Sequence, residues 1–422
     1  MVAPGRALAV AVALLWAAGA PAQPAAAAPA VAVPTHSLED LLALARRDNL
    51  ALAAARAQAL AARAGVTTAR AHPNPEFEVL GGSLRARVPG VTGGGTTSLV
   101  FSQRIENPRL RESRREAATA GAQSAEIGVW VVENDLMALV KTRFFETLRR
   151  EEELDAARED LALTEQIRDR IRVRTRTGEA ARFDLIRAEN EVAIAAKQVE
   201  MGIARVAESR ALLRQAVGSS LPERFALSGD FYRKTPQADY GALRDAVLAA
   251  NPELKRALAD LARAQKQVEV ETAQVLPAVT VRIAQDNEPE VRGTRAGVAL
   301  AVPLWDRRRG PIDEARALAI RSRTESDLRR HLLAQAFEAG WQQYQASLKA
   351  VQALEGGILQ QARTVVDIAE AAYRFGERGI LEYLDARRQF RVVRADLIAT
   401  RFELHAAKAE LERLAASDIK GE

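Results

Sequence analysis

The chain states one structural plan twice. RTGEAARFDLIRAENEV around Gly178 returns without a gap as RFGERGILEYLDARRQF around Gly376, so that Gly178 matches Gly376, Glu179 matches Glu377, Asp184 matches Glu382 and Ala188 matches Ala386. The likeness runs upstream as well: DNLAL beginning at Asp48 resembles NPEL beginning at Asn251, and PEFEV beginning at Pro75 resembles PAVTV beginning at Pro277. A duplication over about two hundred residues requires a fold made of two similar halves.

Each half reads as a helix, two strands, a very long helix, a turn and a final helix. In the first, residues 37–71 carry a helical pattern opened by Ser37 as N-cap, with Glu39 and Asp40 in the first turn, and Pro73 and Pro75 close it. Alternation of apolar and polar residues predicts strands over 76–88 and 97–105 around the loop PGVTGGGT, and over 278–285 and 296–304 in the second half. Residues 110–176 and 312–375 contain no proline and predict unbroken helices, each roughly 90–100 Å long. Beyond each glycine turn a heptad seam follows. Phe390, Leu397, Leu404 and Leu411 alternate with Val393, Thr400, Ala407 and Leu414, and the first copy has Val192, Val199, Val206 and Leu213 with Ala195, Gly202, Ser209 and Ala216. Aromatic residues make up only 5% of the chain, which suits helices meeting through small and aliphatic seams.

Residues 1–28 read as a secretory signal peptide, with Arg6 before the apolar run 7–18 and small residues over 20–28. The copies then occupy 29–217 and 240–422, joined by a linker over 218–239. No later segment has the eighteen or more apolar residues of a spanning helix, so any membrane part must be β-structure. The chain has no cysteine, which excludes disulfides and a lipid-bearing cysteine. With 60 basic and 55 acidic residues its net charge is only +5, which fits solvated helix faces and argues against a nucleic-acid partner. Neither a nucleophile with its base nor a phosphate loop is present, and His36, His72, His331 and His405 lack ligand spacing, as do Met137 and Met201; no catalytic residue, metal site or cofactor is expected.

The segment GERGILEYLDA, from Gly376 to Ala386, together with the duplicated halves, the paired hairpins and the long helices, resembles the TolC-like outer-membrane factor family over nearly the whole mature chain. The resemblance implies a mainly α fold with a small β part. In it three chains each give four strands to a twelve-stranded outer-membrane barrel, and their helices form a long periplasmic barrel. It implies a passive exit duct of a tripartite efflux system, partnered by a periplasmic adaptor (membrane fusion) protein and an inner-membrane RND pump. By matching position it makes Glu382 and Asp385 an acidic ring at the pore entrance, and Asp184, Tyr373 and Arg378 a gate latch. Gly178, Glu179, Gly376 and Glu377 become the tips that dock the adaptor. FSQRIENPRLRESRREAA, beginning at Phe101, is similar to the CzcC-like heavy-metal cation branch, with Pro108, Arg109 and Leu110 where that branch has glycine, lysine and arginine. Divalent cations are therefore the expected cargo, with drugs or other small molecules as the alternative. A periplasmic coiled-coil adaptor or a structural protein is the alternative of another class; four strands and two full repeats speak against both.

Overall fold

The structure is a computed structural model that describes residues 33–417 except 86, 88, 91, 236 and 237; the predicted signal peptide lies outside the described residues. The first copy comprises β1 (Thr35–Ser37), α1 (Leu38–Asp48), α2 (Leu50–Arg70), β2 (Glu76–Leu84), β3 (Gly94–Ile105), α3 (Pro108–Arg176) and α4 (Arg182–Val217). The second comprises β4 (Ala226–Ser228), α5 (Tyr240–Ala250), α6 (Pro252–Ala273), β5 (Val279–Asn287), β6 (Arg292–Leu300), α7 (Arg309–Ala353), a π-helical turn (Leu354–Ile358), α8 (Leu359–Arg374) and α9 (Ile380–Ala415).

The helix expected over 37–71 is two helices, because Asn49 takes an extended backbone between them. Its Oδ1 accepts from the N–H groups of Ala51 and Leu52 at 2.9 and 3.3 Å, which caps α2. Its Nδ2 donates to the Ala216 carbonyl at 2.8 Å, tying the break to the far end of α4. The second copy repeats the device. Asn251 Oδ1 accepts from Glu253 and Leu254 at 2.9 and 3.2 Å, and its Nδ2 donates to the Leu414 carbonyl at 2.9 Å. Both amides are buried, so each copy locks its short and long helices together through an asparagine that uses both its oxygen and its nitrogen.

The long helices differ between copies. Helix α3 runs unbroken for 69 residues, with Asn107 as its cap and Pro108 in the first turn. Its counterpart is interrupted by the π turn at Leu354–Ile358, where Gly357 leaves helical geometry at φ 177°. Consecutive glycines, Gly356 and Gly357, lower the cost of that break, and Arg401 of α9 braces it through an ion pair with Glu355.

The strands also end differently from the pattern. β2 stops at Leu84 with Arg85 and Arg87 beyond it, while Ala86 and Val88 lie outside the described residues. β3 starts early, at Gly94, because Gly94 and Gly95 pair with Leu84 and Ser83. β5 runs on to Asn287, and β6 spans Arg292–Leu300 and leaves the sheet before Pro303, which has no N–H to donate.

Two hydrophobic clusters fix the middle of the molecule. Leu41, Leu52, Val140, Phe144, Leu213 and Phe225 build one, and Leu254, Phe337, Tyr344, Leu404 and Leu411 build its second-copy equivalent. The heptad seams supply both, with Leu213 and Leu411 fully buried and Gly202 so close to α3 that a Cβ would meet Leu154 Cδ1 at 3.0 Å. A parallel pair of short strands, β1 with β4, was not expected; it lays the inter-repeat segment beside the start of α1. His405 fastens the same segment. It stacks on Phe145 at a centroid distance of 3.9 Å, and its Nε2 lies 3.0 Å from the Phe231 carbonyl.

Candidate functional site

Strand register decides what the β part can touch. The sheet order is β2-β3-β5-β6, all antiparallel, so residues directly opposite share a face. One face collects the rows Phe77–Phe101–Ile283–Ala296, Val79–Leu99–Gln285–Thr294 and Ile105–Val279–Leu300, with Val281 beside Val298. The other collects Glu76–Ser102–Arg282–Gly297, Glu78–Val100–Ala284–Arg295 and Arg104–Thr280–Ala299. Apart from Arg292 at the loop end, the charges of the paired residues all fall on this second face. There Ser98 Oγ donates to Asp286 Oδ1 at 2.7 Å and Arg295 binds the same carboxylate at 2.7 Å. Phe77, Val79 and Val298 are at least 70% exposed, an arrangement suited to hydrocarbon outside and water inside. In one chain both edge strands, β2 and β6, remain unpaired on their outer sides, whereas only closed β-structure satisfies its backbone in lipid. No helix among the described residues is long and apolar enough to cross a membrane.

At the opposite end lie the two glycine turns, and they are the same turn. Gly178 and Gly376 have φ of +80° and +77°. The Glu179 N–H donates to the Arg174 carbonyl at 2.8 Å, and the Glu377 N–H donates to the Ala372 carbonyl at 2.9 Å. This six-to-one bond past a left-handed glycine ends each long helix and reverses the chain within a few residues. Nothing stands within 4 Å of a Cβ added at either glycine, so it is the backbone angle, not space, that requires glycine. Gly178, Glu179, Gly376 and Glu377 are all exposed at the tips.

Glu382 and Asp385 are both exposed on the first turns of α9, while Tyr383, Leu384 and Ala386 between and beside them are buried. The two carboxylates therefore share the outward face of a helix whose inward face is fixed. Arg378 Nη1 donates to Glu382 Oε2 at 2.9 Å, so within the chain it pairs with Glu382 rather than with Asp184. Asp184 is half-buried in the first turn of α4. Tyr373 stacks on Tyr383 at 6.1 Å, and the Arg174 guanidinium lies 5.3 Å from the Tyr373 ring centre. The structure thus brings Arg378 to Glu382 and places Tyr373 in the small core of this end, with Ile171, Ala188 and Ile380. Burial pushes the Tyr383 hydroxyl above the usual tyrosine range.

Sequence reasoning missed the ion ladder that joins the copies above the tips. Asp160 of α3 accepts from Arg387 at 3.1 Å and from Arg391 at 2.8 Å, both on α9. Glu191 of α4 accepts from Arg388 at 2.9 Å and also faces Arg391 at 3.7 Å. Arg394 reaches Glu159 at 2.5 Å, and Arg170 lies 3.5 Å from Glu370. Asp160 and Arg387 are each only 12% exposed, which puts the centre of the ladder out of bulk water. It borders an open groove of about 1210 Å³ between the two helix pairs. One signal was available: basic residues at 387, 388, 391 and 394 have no basic counterpart at the matching positions of the first copy. Among the described residues no group of three or more His, Asp or Glu is arranged to hold a metal ion.

The model of a family described as outer membrane efflux protein matches residues 41–219 and again 243–417, once for each copy. The cobalt-zinc-cadmium resistance protein CzcC of Cupriavidus metallidurans is 25% identical over 380 residues, covering 90% of this chain and 89% of that protein. The pyoverdine export outer membrane protein OpmQ of Pseudomonas aeruginosa is 22% identical and covers 83% of this chain and 79% of its own length. Among solved structures, a membrane protein from Pseudomonas aeruginosa superposes with a TM-score of 0.81 at 18% identity, covering 92% of this chain and 91% of that one.

Proposed function

The chain belongs to the outer membrane efflux protein family, and from that premise we propose that three copies close one passive duct whose cargo is divalent metal cations. The exit duct itself follows from the family; the trimer, the cargo and the partners are our reading. The observation that carries the trimer is the four-stranded sheet with one apolar and one charged face and two free edges. Edge-to-edge closure by identical copies satisfies the free backbone groups and turns the apolar face to lipid. The helices then extend the duct into the periplasm, with Glu382 and Asp385 of each copy ringing its entrance and favouring cations there. Asp184, Tyr373 and Arg378 act as a latch between copies of the helix pair, Arg378 exchanging Glu382 for Asp184 when the entrance closes. The tips at Gly178–Glu179 and Gly376–Glu377 receive a periplasmic adaptor that links the duct to an inner-membrane RND pump.

The cation cargo rests on the relation to CzcC, which spans nearly the whole of both chains. The relation to OpmQ supports a second reading, an organic export substrate. Deleting the gene and measuring tolerance to a panel of divalent metals and of organic compounds separates the two. Sensitivity to metals alone is expected, and sensitivity to organic compounds alone would overturn the cation reading.

A further inference from the structure

Between β6 and α7 the chain leaves the sheet through residues 301–308, and here the copies diverge: α3 starts directly after Asn107, whereas Arg308 takes a left-handed backbone before α7 starts at Arg309, and what the copies share is one side-chain turn. Asp306 Oδ1 accepts from the Arg308 N–H at 2.8 Å, as Asn107 Oδ1 accepts from the Arg109 N–H at 2.9 Å in the first copy. The shared turn makes Trp305 the positional equivalent of Glu106. Glu106 folds back onto Arg114, with contacts of 3.1 and 2.5 Å. Trp305 does nothing of the kind: it is 93% exposed, and among the described residues no ring or cation contact takes it.

Its neighbours point to what covers it. Val298 and Leu300, exposed by 70 and 51%, end the apolar face of β6, and Val302 and Leu304, exposed by 56 and 59%, follow in the turn that leads to the tryptophan. Beyond Asp306 come three arginines. Arg308 turns inward to Glu271 at 2.6 Å, while Arg307 and Arg309 stay exposed with no ion pair among the described residues. In the first copy Arg109, exposed, and Arg111, 3.0 Å from His72 Nδ1, add cations at the start of α3. Exposed apolar residues followed by an indole and then by guanidinium groups match the order of a lipid leaflet: acyl chain, carbonyl, phosphate. Indole prefers the carbonyl level, and guanidinium binds phosphate oxygens in pairs.

We propose that the segment from Val302 to Arg309 is a membrane-depth anchor, with Trp305 at the carbonyl level of the periplasmic leaflet and Arg307 and Arg309 on the phosphates of anionic phospholipid. The assignment rests on the outer-membrane barrel reading. It fixes the height at which the helical barrel leaves the membrane, and hence the reach of the tips toward an adaptor.

The test uses the full-length protein reconstituted into vesicles of phosphatidylcholine with phosphatidylglycerol. The emission lost in Trp305→Phe reports this indole alone. Phosphatidylcholine brominated near the carbonyl should quench that component about twofold more than lipid brominated near the chain end. The pair Arg307→Gln with Arg309→Gln should bring the enrichment of phosphatidylglycerol at the protein down to that of phosphatidylcholine, with assembly and conductance unchanged. An inserted protein whose Trp305 emission resists both lipids would overturn the proposal and place a neighbouring copy over the indole. Undiminished phosphatidylglycerol enrichment in the arginine pair would overturn it as well. Protein that stays outside the vesicles altogether sinks the barrel reading, and the anchor with it.

Discussion

At the residue scale the two copies are held by matched asparagines, and their roles can be separated by substitution. Asn251→Ala removes a helix cap worth about 1 kcal/mol and strands the buried Leu414 carbonyl, for a total cost of about 2–3 kcal/mol. Asn251→Asp keeps the cap acceptor and loses only the donor, so its denaturant midpoint should lie between those of the wild type and the alanine variant. His405 makes a different prediction. Desolvation pushes its pKa down to about 4 from the ordinary 6.5, so it stays neutral in the folded chain while the unfolded chain binds a proton. Its contribution is fully present above pH 6.5 and is lost as pH falls from there toward about 4. The slope of stability against pH in that window should flatten in His405→Phe, which keeps the stack on Phe145 without the titration. An unchanged slope would assign the acid sensitivity elsewhere.

At the element scale the long helices, their glycine ends and the heptad seams were legible in the sequence, because each depends on residues close in the chain. Gly178 and Gly376 announced left-handed turns, and the structure forms the same turn at both. The break at Asn49 was not legible, and that at Asn251 was legible only through Pro252. At Asn49 helical periodicity runs straight through, and the distant Ala216 carbonyl favours the non-helical asparagine; at Asn251 the following Pro252 was a local break signal, and only the tie to the Leu414 carbonyl was hidden. The interruption at Gly357 was hidden for a similar reason, since paired glycines tolerate a helix as well as a kink and the partner that decides is Arg401. The inter-copy ladder depends on α9 lying against α3 and α4, which no local pattern encodes. Alanine at Gly376 must take a strained backbone, so Gly376→Ala should open the tip by about 1 kcal/mol in local hydrogen exchange and leave global unfolding unmoved. Asp160→Asn leaves the buried Arg387 without its carboxylate, and a loss of about 3 kcal/mol in denaturant unfolding is expected. A loss within a few tenths would show that the ladder is solvated and idle.

At the scale of the whole molecule, duplication supplies two similar halves, and the differences between them are local. The first copy keeps α3 unbroken, while the second carries the π turn, the basic side of the ladder and the exposed Trp305. Alternation separates the two faces within a strand, the register joins them across the four strands, and it makes a sharp contrast between neighbours. Lysine at Val79 would face lipid in every copy and cost about 2–4 kcal/mol each, so Val79→Lys should fail to appear as assembled protein in outer-membrane fractions. Lysine at Glu78, on the charged face, should assemble normally and change only conductance. All of this depends on closure of the sheet by identical copies. The most direct measurement is the native mass of the complex extracted from the outer membrane in detergent. The account predicts three chains per particle, and a single chain or a pair, or recovery of the protein as a soluble periplasmic monomer, would contradict it.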